Sequence, residues 1–372
     1  MKYYVVAGEA SGDLHASNLI KAIAQLDGNA VFKGLGGDRM QAAGMPLLLH
    51  YKDIAFMGIA EVLQNLGTIR KALRRCEADI LQFKPDVLIA VDYPGFNLRM
   101  VKFAKQHGIK TVYYISPKLW AWRSSRVETI RKYVDKVILI FPFEESFYRK
   151  HRYTNVHYVG NPLLDELRDF QHTGTFRFNN GLTERPIVAL LPGSRLQEIN
   201  RCLPPMLECA ALMPTYQFVI AGMKHTRPWI EKFGLQGNVK AVFDQTYDLL
   251  SHSDAALVTS GTATLEAALL NVPQVCAYRT SPITYLVAKQ VVKVPYISLV
   301  NLVAGKPVIP ELIQNDMQPQ RLAEWLHYLL PGGAKRDAML ADYAAVRELL
   351  KGSGASQRAA KVTVDFVGVA NP

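Results

Sequence analysis

The sequence predicts an α/β chain of two doubly wound, Rossmann-like domains facing a central cleft. Short apolar runs alternate with stretches of helical periodicity, the alternation breaks at a cluster of turn formers, and it then starts again. Continuous apolar strands between helices imply a parallel sheet covered on both faces. A length of 372 residues is enough for two such domains, each with its own core.

In the first half, Tyr3–Ala7 is an apolar run closed by Gly8 and predicts a buried strand. Leu14–Leu26 has helical periodicity. Asp86–Val91 predicts a strong strand, followed by a loop and a helix over Asn97–His107. A strand at Lys110–Ile115, a basic helix at Ser124–Tyr133 and a strand at Val134–Ile140 complete the first domain, residues 1–165. Thr173-Gly174-Thr175 and Asn179-Asn180-Gly181 are turn formers with no long apolar run across them, so 166–185 is expected to be a linker. The second domain, 186–340, repeats the alternation. Strands are expected at Ile187–Leu191, Gln217–Ala221, Val239–Phe243, Ala255–Thr259 and Gln274–Tyr278, with helices at Glu198–Met213, Thr246–Ser251 and Thr262–Leu270. From about Pro319 the chain is helical and alanine-rich, and residues 341–372 are expected to form a separate helical tail.

Hydrophobic residues at 49% and charged residues at 20% place the chain among ordinary globular proteins. No run of about 18 apolar residues predicts a membrane span, and Glu9 and Asp13 interrupt the N-terminus too early for a signal peptide. Cys76, Cys202, Cys209 and Cys276 lack metal-ligand spacing and are expected to be reduced thiols in a cytosolic core. A net charge of +11 favours an anionic partner. Nucleic acid is not that partner, because no helix-turn-helix, zinc-finger or aromatic RNA-binding pattern occurs. The basic positions Arg70, Lys71, Arg74 and Arg75, and Arg123, Arg126, Arg131 and Lys132, fall at helical spacings suited to solvent or to anionic headgroups.

Two segments of the second half have the form of anion cradles. Leu190-Leu191-Pro192-Gly193-Ser194-Arg195 passes from an apolar strand through a tight turn into a helix, with Glu198 just beyond. Helix N-termini present N–H groups to phosphate, Ser194 adds a hydroxyl and Arg195 a planar fork. Thr259-Ser260-Gly261-Thr262-Ala263-Thr264-Leu265-Glu266 repeats that design. Two cradles suit a diphosphate. Glu266 is placed to accept from ribose hydroxyls, or else to cap its own helix. Neither a G-x-G-x-x-G after the first strand, a Walker motif nor an Asp-x-Asp is present, so no nicotinamide cofactor or metal is expected. In the first half, Gly8-Glu9-Ala10-Ser11-Gly12-Asp13 forms a polar turn opening a helix, with Asp13 a candidate N-cap. Asp92 follows a buried strand, where a catalytic carboxylate or a loop-capping one would sit.

Taken together, these segments resemble the lipid-A-disaccharide synthase family. The resemblance is carried by Gly8–Asp13, Met57-Gly58 with Glu61-Val62-Leu63, Lys84-Pro85-Asp86 before Asp92, and Ser116-Pro117 with Trp120-Ala121-Trp122-Arg123. It continues through Leu191–Arg195 with Glu198, Ser260–Glu266, and Ser298-Leu299 with Asn301-Leu302. It implies a GT-B glycosyltransferase fold and an inverting, cofactor-free, metal-independent transfer. The donor would be UDP-2,3-diacylglucosamine, the acceptor the 6-hydroxyl of 2,3-diacylglucosamine 1-phosphate, and UDP the leaving group. With it, Asp92 is the expected general base and Glu9 the second candidate. UDP is expected at Gly193, Ser194, Arg195, Glu198, Gly222, Ser260, Gly261, Thr262, Ala263 and Glu266. Acceptor and acyl contacts are expected from Ser11, Gly12, Met57, Asn97, Trp122 and Asn301. Acylated substrates imply a peripheral protein on the inner face of the bacterial inner membrane, compatible with a homodimer. The apolar run Ile54–Leu63 is the candidate contact, or else a core helix. A UDP-sugar epimerase of the same fold and a non-catalytic lipid-binding protein are the competing readings.

Overall fold

The computed structural model describes residues 1–54, 65–120, 126–292 and 294–368. It divides into two compact units, Met1–Asp165 joined by Leu350–Pro372, and Glu166–Leu349.

The first unit carries a seven-stranded sheet. In chain order the strands are β1 (Lys2–Ala7), β2 (Val31–Gly36), β3 (Leu47–His50), β4 (Val87–Val91), β5 (Lys110–Tyr114), β6 (Lys136–Leu139) and β7 (Val156–Tyr158). Their order across the sheet is β3-β2-β1-β4-β5-β6-β7, and every pair is parallel. All five residues of β4 are buried, as are Tyr3–Ala7 of β1, because helices cover both faces. Tyr4, Leu88, Tyr113 and Val137 form the centre of one core layer against Cys76, Ile80 and Met100 from the flanking helices.

The second unit carries β8 (Ile187–Leu191), β9 (Gln217–Gly222), β10 (Val239–Phe243), β11 (Ala255–Val258), β12 (Gln274–Tyr278) and β13 (Glu311–Ile313). Their order is β10-β9-β8-β11-β12-β13, again entirely parallel. The four cysteines are free and buried. Among the described residues no helix is long and apolar enough to cross a membrane.

The unit boundaries differ from those expected. Residues 166–185 are not a free linker: Phe176 and Leu182 belong to the second unit's core, and Thr183 N–H donates to Gln217 Oε1 at 2.9 Å. Nor is 341–372 one tail. Position 341 lies inside the helix Arg336–Leu349, whose Tyr343 hydroxyl is bonded within the second unit to Val272 O at 3.3 Å. The next helix, Ala355–Val367, packs on Ala10–Leu26 of the first unit. There Lys110 Nζ donates to Val367 O at 3.0 Å, Arg358 Nε donates to Val159 O at 2.6 Å, and Ser356 N–H donates to Asp165 Oδ2 at 3.1 Å.

Candidate active site

In each sheet the strand order reverses beside the first strand, between β1 and β4 and between β8 and β11. Doubly wound sheets bind ligands at such a reversal, outside the carboxyl ends of the strands, because the loops there leave in opposite directions. In the first unit Ala7 pairs with Val91, so Gly8-Glu9 and Asp92-Tyr93 leave adjacent strand ends. In the second, Leu191 pairs with Val258, so Pro192-Gly193-Ser194 and Thr259-Ser260-Gly261 do the same. The motifs read separately in the sequence are thus neighbours within each unit.

Asp92 and Tyr93 both have left-handed backbones, with φ of 45° and 47°. Such conformations are uncommon for non-glycine residues and persist only where the surroundings impose them. The Asp92 carbonyl accepts from Tyr113 Oη at 2.7 Å and from Asn97 Nδ2 at 2.8 Å, while its N–H donates to Tyr114 O at 3.1 Å. Asn97 Nδ2 also reaches Val6 O at 3.2 Å and Val91 O at 3.1 Å, tying the ends of β1 and β4 together. Expected as an acceptor contact, Asn97 is fully buried and supports Asp92 from beneath. Gly8 is required by close approach: a Cβ there would lie 2.1 Å from the Tyr93 ring.

Burial pushes the Asp92 carboxyl up to about 6, and the negative charge of Glu9 adds to the rise, while Lys118 opposes it. Glu9 is exposed and stands at the N-cap of Ala10–Leu26, with Ser11 exposed and Gly12 buried in the first turn. Asp13 does not cap its own helix. Its carboxylate accepts from Gly37 N at 2.7 Å, Arg39 N at 3.1 Å and Met40 N at 3.1 Å, and so caps the short helix Asp38–Ala42. Met57 and Trp122 lie outside the described residues, as does most of the run Ile54–Leu63; Ile54 itself is buried.

Sequence reasoning missed Tyr113, Lys118 and Glu144. Buried Glu144 accepts from Trp120 Nε1 at 3.2 Å, Phe141 N at 3.1 Å and Ile140 N at 3.3 Å, and burial pushes its carboxyl up to about 7. It thereby joins the turn after β6 to the loop after β5. The helix-start pattern Pro142-Phe143-Glu144 was the available signal, a proline at N1 with a glutamate at N3.

In the second unit Gly193 has φ of +103°, and a Cβ there would meet the Glu198 carboxylate at 2.5 Å. Glu198 Oε2 accepts from Ser194 N at 3.1 Å and Arg195 N at 3.3 Å, and Arg195 Nη1 lies 3.3 Å from Oε1. Two of the N–H groups expected to face a phosphate therefore serve the chain's own carboxylate. Glu198 is a capping residue here, and the exposed Arg195 fork carries the charge of this turn. Opposite, Gly261 is the N-cap of Thr262–Leu269, and the hydroxyl of Ser260 donates to Ile297 O at 2.7 Å. Glu266, one turn in, has its carboxyl pushed up to about 7 by burial, against a hydrogen bond from Thr262. Two further expectations fare differently. Gly222 packs against Phe243 and Ile230 at the end of β9. Asn301 is buried, with Nδ2 on Ile309 O and Glu311 and Oδ1 accepting from Val308 N and Ile309 N, so its polar groups serve the loop and not a ligand.

The family model for lipid-A-disaccharide synthetase matches residues 3–364. The chain belongs to that family. The lipid-A-disaccharide synthase of Geobacter sulfurreducens is 39% identical over 98% of this chain and 97% of its own. Among solved structures, the kitacinnamycin glycotransferase superposes with a TM-score of 0.68 at 14% identity, covering 98% of this chain and 99% of that one. A putative UDP-N-acetylglucosamine 2-epimerase from Listeria monocytogenes gives 0.68 at 11%, covering 100% and 98%. Identities this low carry the fold alone, and that fold is GT-B. Family membership decides what the fold leaves open: the chain is a glycosyltransferase of lipid A biosynthesis, acting on a sugar nucleotide and a lipid acceptor.

Proposed function

We propose that this lipid-A-disaccharide synthetase family member transfers 2,3-diacylglucosamine from its UDP carrier to the 6-hydroxyl of 2,3-diacylglucosamine 1-phosphate, with inversion and without a metal. The observation that carries the reading is the Asp92 carboxyl. It stands at the strand reversal of the first unit on a backbone fixed by Tyr113 and Asn97, with its proton affinity raised to about 6. A base of that strength is ionised at neutral pH and still takes a proton readily. The hydroxyl proton passes to Asp92 as the oxygen bonds to the anomeric carbon. The bond from that carbon to the diphosphate breaks, and the electron pair leaves on UDP. Arg195 and the helix N-terminus at Gly261–Ala263 stabilise the departing charge, and Glu266 receives ribose hydroxyls.

Acylated substrates call for a membrane surface. Exposed Arg70, Lys71, Arg74 and Arg75 on the helix Leu66–Phe83 supply a cationic face next in sequence to the apolar run Ile54–Leu63, which supports peripheral binding to anionic lipid. Incubation with UDP-2,3-diacylglucosamine and the monosaccharide 1-phosphate, followed by mass analysis, tests the reaction. A disaccharide 1-phosphate with stoichiometric UDP is expected. A free sugar, or an epimerised UDP-sugar, would overturn the reading.

A further inference from the structure

The helix Pro282–Val291 follows β12 in the second unit and begins for local reasons. Ser281 caps it, its Oγ accepting from Thr284 N at 3.1 Å, and Pro282 occupies the first position. An ordinary surface helix hides its apolar stripe in the core. This one has no buried residue, and its apolar positions point outward: Ile283 is 77% exposed, Leu286 62%, Val287 56% and Val291 42%. Their spacing of three, four and eight residues from Ile283 puts them on one side, while Tyr285 and Ala288 are half-buried. Isolated exposed apolar residues are normal, but four on one ten-residue helix form a patch that asks for an occupant.

Charge selects the occupant. The helix carries one charged side chain, Lys289, and between Glu266 and Glu311 the sequence contains no aspartate or glutamate. A two-fold contact between copies through this helix would set like charges against each other, which is unfavourable. The helix is also only about 15 Å long, short for the roughly 800 Å² per partner of a stable protein interface. An apolar stripe on a helix whose one charged side chain is the exposed Lys289 fits an anionic bilayer surface.

We propose that Pro282–Val291 is an interfacial lipid-docking helix, a membrane contact in the nucleotide-binding unit. It extends the membrane contact proposed above for the first unit, and rests on that reading. The test is flotation of the full chain with phosphatidylglycerol vesicles and, separately, phosphatidylcholine vesicles. Wild type is compared with Ile283→Asp/Leu286→Asp, with Lys289→Gln and with Ile59→Asp. The double variant is expected to bind phosphatidylglycerol vesicles at least about tenfold more weakly, with thermal midpoint and UDP affinity unchanged. Lys289→Gln should weaken binding about fivefold on the anionic vesicles alone. Wild-type vesicle affinity in the double variant overturns the inference. That holds equally if its sedimentation mass falls from dimer to monomer, which would assign the stripe to a second copy. It holds too if only its KM for acylated substrate in detergent rises, which would assign the stripe to the substrate's chains. If Ile59→Asp abolishes binding while the double variant binds normally, the first-unit contact stands and this one falls. If wild type binds neither vesicle, both fall.

Discussion

Asp92 combines a strained backbone, two donors on its carbonyl and a carboxyl raised to about 6 by burial and by Glu9. As the proposed general base, Asp92 must be charged to act, so kcat/KM should rise through an acid limb near pH 6 and level off above it. Glu9→Gln removes a charge that disfavours ionisation, so it should move that limb to lower pH. A limb near pH 4 in the wild type would detach the rate from Asp92. Arg195→Ala should lower turnover by about two to three powers of ten while ground-state UDP binding changes less, because charge on the leaving diphosphate grows toward the transition state. A raised KM at constant turnover would make Arg195 a uniform-binding residue. At this scale the sequence was legible where a polar residue ends a buried strand, as at Asp92. It misled where a side chain serves a distant backbone. No spacing rule relates Asp13 to the N–H groups of Gly37, Arg39 and Met40, and none reveals that Asn301 is taken up by Val308, Ile309 and Glu311.

The elements read well where both faces are buried. Ile187–Leu191 and Gln274–Tyr278 occur at the expected bounds, and so does the edge strand Val239–Phe243, in which Val242 alone is buried. The first helix starts at Ala10 rather than Leu14, and the helix expected from Asn97 starts at Pro94, whose fixed φ suits a first helical position. Strands β2 and β3 were not read. Lys33 and Gly34 interrupt the first, and the second is a half-buried four-residue edge strand without alternation. The helix Asp38–Ala42 is too short to stand alone and depends on the Asp13 carboxylate. Asp13→Ala strands buried donors and should destabilise the first unit by about 2–4 kcal/mol, read as a lower denaturant midpoint, with UDP affinity retained. An unchanged midpoint would show that water replaces the cap without loss.

For the molecule as a whole, the sequence predicted two parallel-sheet domains, and two are present. It placed the seams wrongly. The turn formers of 166–185 flank Phe176, whose burial makes them turns inside a packed unit. The amphipathic pattern of the last helix shows that one side is covered but not which unit covers it. Strand order was also invisible, and it is what sets Glu9 beside Asp92 and the turn after Leu191 beside the turn after Val258. The central claim is a division of labour, with base chemistry in the first unit and UDP held by the second. It is tested most directly by measuring turnover, UDP affinity and thermal midpoint on one preparation of Asp92→Asn. Turnover should fall at least about a hundredfold, with UDP affinity within about twofold of wild type. Because the folded state raises this carboxyl from 3.8 to about 6, it binds the proton more tightly than the unfolded chain does. Stability attributable to Asp92 therefore falls as pH rises through that window, and at neutral pH the asparagine should stabilise the fold by about 1–3 kcal/mol. Turnover kept near wild type in Asp92→Asn would contradict the account, and its loss in Glu9→Gln instead would transfer the base to Glu9.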